Sequence, residues 1–263
     1  MLTLMPICQE ARDYIEEQLL LRGFDKRGKL FVRRSGPIVA TVYPRWEHGA
    51  VEDYRIGVHP LWFCPDKIFL LREGAGSEDW QIVARRIAVG AIASPTPEYP
   101  FRNVTTVSYP TLIANFNGVS MSPLNWEQLR DILDCTLLAP LDFRATYKGE
   151  KSCAEYIRDT RYFFNVRYFL MYEKNLSDLR EDLLMEEKVR SECIQQYGEY
   201  PDMYEKKYQQ ALQILQAAEK GDWGPAERLL AEKSAGGLAL LKRYHIEDKG
   251  PYPKEFARLR YDD

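Results

Sequence analysis

Histidine is scarce in this chain: three in 263 residues, His48, His59 and His245. That leaves little room for chemistry built on several imidazoles. Cysteine is sparse too. Its five positions (Cys8, Cys64, Cys135, Cys153, Cys193) are odd in number and scattered, with no Cys-x-x-Cys pair. This excludes a disulfide framework and fits reduced thiols in the cytoplasm. No apolar run approaches the roughly 18–20 residues of a membrane helix, so no membrane partner is expected. The opening MLTLMPICQEARDY has neither the basic region nor the long apolar region of a secretory signal. Neither sign of charge dominates, with Lys+Arg 36 against Asp+Glu 39. A dedicated polyanion binder carries a clear basic excess, and this chain does not. The nucleotide cradles GxxxxGK[ST] and GxGxxG after a strand are missing, as is the GxSxG elbow of acyl hydrolases. Gly74-Ala75-Gly76-Ser77 reads as a surface turn.

What is present is a folding composition, 45% hydrophobic, with a length that suits one large domain or two small ones. The first half alternates apolar and polar residues and holds most of the prolines, whereas Lys148 to Tyr200 is nearly free of proline. The pattern predicts an α+β fold: an N-terminal antiparallel sheet with flanking helices (1–145), packed on an all-α region (146–263). Ile7, Ala11, Ile15 and Leu19 form a helical stripe over 7–22, which Gly23 closes in the left-handed conformation. Strands follow over 29–34 and 38–43, joined at Ser35-Gly36-Pro37, and a third runs over 53–59. One face of this sheet is expected to be packed and the other wetter. A strand over 61–71, a helix over 77–89, a proline-rich loop over 93–101, a strand over 105–116 and a helix over 126–135 complete the half. The second half reads as five helices, about 150–173, 177–196, 202–220, 224–233 and 236–245, with Gly221 ending the third and Pro225 opening the fourth.

Three clusters carry chemistry. His48, Asp53, His59 and Cys64 suit a metal or a metal-dependent enzyme, although their spacing matches no zinc pattern. Cys64 beside a histidine is also a nucleophile pair in outline, but Leu61-Trp62-Phe63 before it favours a packed thiol. No catalytic residue and no cofactor is assigned. The second cluster is basic: Arg22, Lys26, Arg27, Lys29, Arg33 and Arg34, interleaved with Phe24 and Phe31. Such groups bind phosphates and stack bases, so nucleic acid is one expected partner through Arg22, Lys26, Arg27, Arg33 and Arg34. They equally guard a sheet edge against aggregation. The third is acidic, Asp178, Glu181, Asp182, Glu186 and Glu187, on a helix whose Leu176–Leu179–Leu183 stripe lapses at Glu186. It reads as a solvated face, or as a surface for an unidentified protein partner. Seven rings between Tyr156 and Tyr172 read as core, or as a Tyr-rich contact.

Arg22-Gly23-Phe24, then Lys26-x-x-Gly28-x-x-Phe31-x-Arg33, then Tyr54-x-Ile56-Gly57-Val58 resembles a family of small bacterial α+β proteins of unknown function (DUF4304-like). Some of its members are regarded as immunity proteins to polymorphic toxins. The likeness spans about residues 7–60. It implies a cytoplasmic binding protein and carries no catalytic residue.

Overall fold

A computed structural model describes residues 9–28, 30–47, 50–62, 107–108, 112–113, 122–123, 130, 133–158 and 164–258. The chain forms two compact units, Met1–Cys153 with Gly237–Asp263, and Ala154–Gly236. An N-terminal antiparallel sheet flanked by helices is followed by an all-α region. The last residues belong to the first unit, so it differs from a single division at 145. The sequence pattern showed helix there and gave no sign of which core the helix end joins.

In the first unit α1 (Gln9–Leu21) precedes β1 (Asp25–Arg27), β2 (Leu30–Ser35), β3 (Ile38–Glu47) and β4 (Ala50–Pro60). Short strands β5 (Val107–Ser108), β6 (Leu112–Ile113) and β7 (Ser122–Pro123) follow. The larger sheet runs β1-β2-β3-β4-β5, every pair antiparallel. α1 ends as its sequence predicts: Gly23 takes φ 76°, Phe24 N donates to Leu19 O at 3.0 Å, and Gly23 N donates to Leu20 O at 2.9 Å. Leu61 and Trp62 form a turn, and the rest of the expected 61–71 strand lies outside the described residues, as do the expected 77–89 helix and 93–101 loop. Of the expected 126–135 helix, Arg130 and Leu133 are described as helical, and a π-helical stretch, Asp134–Leu138, and α2 (Ala139–Arg144) follow Leu133.

Both faces of this sheet are packed, in place of one packed and one wet. Register puts Phe31, Ile38, Ala40, Val42, Ile56 and Val58 on one side, all buried. On the other, Leu30, Val32 and Val39 cluster with Leu61, Leu241 and Ile246, flanked by Tyr43, Leu240 and Tyr244. The second cover is the end of α7 (Gly224–Arg243), some 180 positions away in the chain. Local alternation carries no trace of so distant an element.

Two internal ion pairs and one phenol–carboxylate hydrogen bond organise the unit. Arg22 Nε and Nη2 donate to Asp142 at 2.7 and 2.9 Å, tying the end of α1 to α2. Arg144 pairs with Glu150 at 3.1 Å and also donates to Val58 O of β4. Glu150 lies in the first turn of α3 (Tyr147–Arg158), and burial, against the pull of Arg144, pushes its carboxyl up to about 7. Tyr14 donates to Asp134 at 2.5 Å, and burial, reinforced by that carboxylate, raises its phenol to about 12.

The second unit holds α4 (Phe164–Glu173), α5 (Leu176–Tyr197), α6 (Asp202–Ala218) and the start of α7. Val166, Phe169, Leu170, Leu179, Leu183, Ala211, Ile214, Leu215, Leu229 and Leu230 are buried here. Asn175 caps α5 by accepting from Asp178 N, and Gly198 (φ 82°) closes it. Gly221 closes α6 as expected. The expected break between helices at 233–236 is absent: α7 runs unbroken through Gly236-Gly237. Each glycine costs about 1 kcal/mol in a helix, which the buried Ala226, Leu229, Leu230 and Leu241 of the same helix offset. The single helix expected over 150–173 is described as α3 and α4, with 159–163 outside the described residues.

Candidate interaction surface

The α5–α6 hairpin carries an apolar stripe on α5 that does not stop at Leu183. Leu179, Asp182, Leu183 and Glu186 are the buried residues of α5, spaced by three, one and three. Two carboxylates therefore occupy core positions, and Arg167 of α4 answers both. Its Nε donates to Asp182 at 2.8 Å and its Nη2 to Glu186 at 2.5 Å, all three side chains being buried. Burial alone would lower the guanidinium; Asp182 and then Glu186 outweigh it and hold the Arg167 pKa above its ordinary value. Tyr200, in the turn before α6, donates to Glu186 Oε1 at 3.1 Å. Burial first, then the Glu186 charge, pushes the Tyr200 phenol up. The turn is thereby anchored to the interior, and its register on α5 is set by a polar contact with little slack.

Outward, the same turn presents large apolar side chains. Ile194, Tyr197, Met203 and Tyr204 are exposed, Tyr197 to 69% and Met203 to 58%. With Leu184 on α5 they make five of the nine exposed large hydrophobics among the described residues. Tyr200 and Tyr204 lean together with ring centroids 6.0 Å apart. Arg190 Nε donates to Glu205 at 2.6 Å, fastening α5 to α6 beside the patch. Exposed Glu192, Glu199 and Asp202 lie close to these residues in the chain, as do exposed Lys188 and Lys206. Tyrosine and methionine on a rigid hairpin have the composition of a protein-binding patch.

The five acidic residues singled out in the sequence divide accordingly. Asp178 and Glu181 are exposed, and Asp178 accepts from the Asn175 side chain at 2.8 Å. Asp182 and Glu186 are interior. Glu187 accepts from Arg190 at 3.4 Å and from the Tyr208 phenol, which burial and that carboxylate raise to about 12. The patch on the turn lies outside the three clusters that the sequence marks. Its signal was Tyr197-Gly-Glu-Tyr200-Pro-Asp-Met203-Tyr204, a turn region unusually rich in rings. Of the aromatic helix, Phe169 is buried and Tyr172 exposed to 48%.

The basic cluster is spread over two environments. Arg22 and Arg33 are buried, Arg22 on Asp142 and Arg33 on the carbonyls of Gly250 and Pro251 at 3.4 and 2.8 Å. Lys26, exposed, donates to Glu16 at 2.6 Å. Arg27, exposed, donates to the carbonyls of Tyr244 and His245 at 3.3 and 3.1 Å, capping α7. Arg34 donates to Gly36 O and pairs with Asp248 at 3.7 Å. Burial keeps the Arg22 and Arg33 side chains from the surface, whereas Lys26 and Arg27 are exposed.

For the metal cluster, His48 and Cys64 lie outside the described residues. Asp53 and His59 are placed on β4 opposite Arg45 and Val39, with nothing described of their side chains. Among the described residues no three Asp, Glu, His or Cys side chains group as a metal site, and no helix is long and apolar enough to cross a membrane. No family model, no curated protein and no solved structure matches the chain.

Proposed function

We propose that this chain acts by binding a protein partner through the exposed face of its α5–α6 hairpin. The observation that carries this reading is the concentration of Ile194, Tyr197, Met203 and Tyr204 around one turn that buried Glu186 and Tyr200 hold in place. Side chains of this kind, desolvated together against a partner, supply most of the energy of a typical interface. An immunity-like role, in which a protein works by stoichiometric binding, is one instance of this reading. The reading is tested by capture with the intact chain, compared with a Tyr197→Ser/Met203→Ser/Tyr204→Ser variant. Capture of the partner is expected to fall at least tenfold. Equal capture by both chains overturns the assignment.

A further inference from the structure

The segment after α7 wraps the edge of the first unit's sheet. Ile246 sits on one face, in the cluster with Leu30, Val32 and Val39. Asp248 then lies beside Arg34 as a parallel bridge, with Lys249 N donating to Arg34 O at 3.0 Å. β1 pairs with β2 at Leu30, Phe31 and Val32 alone, and β3 takes the opposite edge, so Arg34 is where β2 has an edge left free. Asp248 Oδ1 accepts from Gly36 N and from Gly250 N, both at 2.9 Å. Beyond Gly250-Pro251 the chain reaches the other face. Tyr252, 6% exposed, donates to Asp142 at 2.7 Å, and Phe256 lies under the Arg22 guanidinium at 4.1 Å.

The receiving side has the parts of a peptide groove. It offers a free strand edge, a backbone N–H for a carboxylate, and a buried arginine whose fork is aimed at main-chain carbonyls. A phenol-sized slot ends at Asp142. Arg33 stacks on the Tyr252 ring at 5.5 Å and spends Nη2 on Gly250 O and Pro251 O. Its Nε is buried and has no acceptor, which leaves a donor over for a differently placed carbonyl. Addition of an extended peptide to a sheet edge takes its affinity from main-chain bonds and its specificity from such pockets.

We propose that residues 247–258 are an intramolecular ligand, filling a groove on β2 that takes an extended segment of a partner protein when they leave. The segment it fits carries a carboxylate, a Gly-Pro bend, a tyrosine four residues after the carboxylate, and a second aromatic four further on. This site lies in the first unit and is independent of the α5–α6 patch.

The test uses a fluorescein-labelled synthetic peptide of residues 247–258 and the full chain, wild type against Tyr252→Ala/Phe256→Ala. Fluorescence anisotropy is expected to show saturable binding to the variant at least tenfold tighter than to the wild type. A folded variant that binds the peptide no better than wild type overturns the proposal. Hydrogen exchange on the wild type decides the matter where the variant does not fold. The amides of Gly36, Lys249 and Gly250 are expected to exchange as one group, at least tenfold faster than the β2–β3 ladder. Exchange of those amides at the ladder rate makes the segment an inseparable part of the core and overturns the proposal.

Discussion

Arg167 sits between Asp182 and Glu186 in the interior of the second unit, and its removal leaves two buried carboxylates without their guanidinium. Breaking a buried ion pair by deleting one partner costs about 3–5 kcal/mol. Arg167→Met is therefore expected to lose that much in denaturant unfolding. Changing all three to apolar residues of similar volume recovers most of the loss, because the desolvation of every charge goes with it. Unchanged stability in Arg167→Met contradicts the network as described. Glu150 makes a second residue-scale case, this time in pH. Its folded pKa, pushed up to about 7 by burial, lies above the unfolded value, so the native state binds the extra proton. Stability from this group is present below pH 4.5 and is lost as pH rises through about 7. Relative to Glu150→Gln, the wild type is expected to weaken by on the order of 3 kcal/mol across that window. Parallel unfolding curves at pH 4.5, 6 and 8 check this, and a constant difference between the two proteins contradicts it.

At the scale of elements, helix ends show which features were legible. Gly23, Gly198 and Gly221 adopt positive φ where a helix must stop, and two of the three were read as stops from the sequence. Lys174 and His245 take the same left-handed conformation, φ 55° and 54°, and could not be read so, because a side chain usually disfavours it. At His245 the helix closes fully: Ile246 N donates to Leu241 O at 2.9 Å and His245 N to Lys242 O at 3.1 Å. Ile246 and Leu241 then meet in the core. Relief of this strain predicts that His245→Gly, at an exposed position, stabilises the chain by about 0.5–1 kcal/mol. Thermal unfolding shows this as a raised Tm, and a lowered Tm contradicts it. The strands of the hairpin were plain from alternation and the Ser35-Gly36-Pro37 turn. β1, with three residues, is too short for any period to show. The interior role of Asp182 and Glu186 was hidden for another reason. Their stripe is visible only once Arg167, 15 and 19 residues away, is known to neutralise it.

At the scale of the molecule, some of the charge that looks available in sequence is spent inside the fold. Asp142 and Asp248, more than a hundred positions away, meet the basic hairpin and turn Arg22 and Arg34 into structural groups. Among the described residues, five of the nine exposed large hydrophobics lie on the α5–α6 hairpin. The most direct measurement is capture from the native host by the full chain, wild type and Tyr197→Ser/Met203→Ser/Tyr204→Ser side by side, reading both bound protein and the 260/280 nm absorbance ratio. The account predicts one protein at near-equal stoichiometry with the wild type, at least tenfold less with the variant, and a low absorbance ratio in both. Equal protein capture by the two chains, or salt-released nucleic acid in place of a protein, contradicts it.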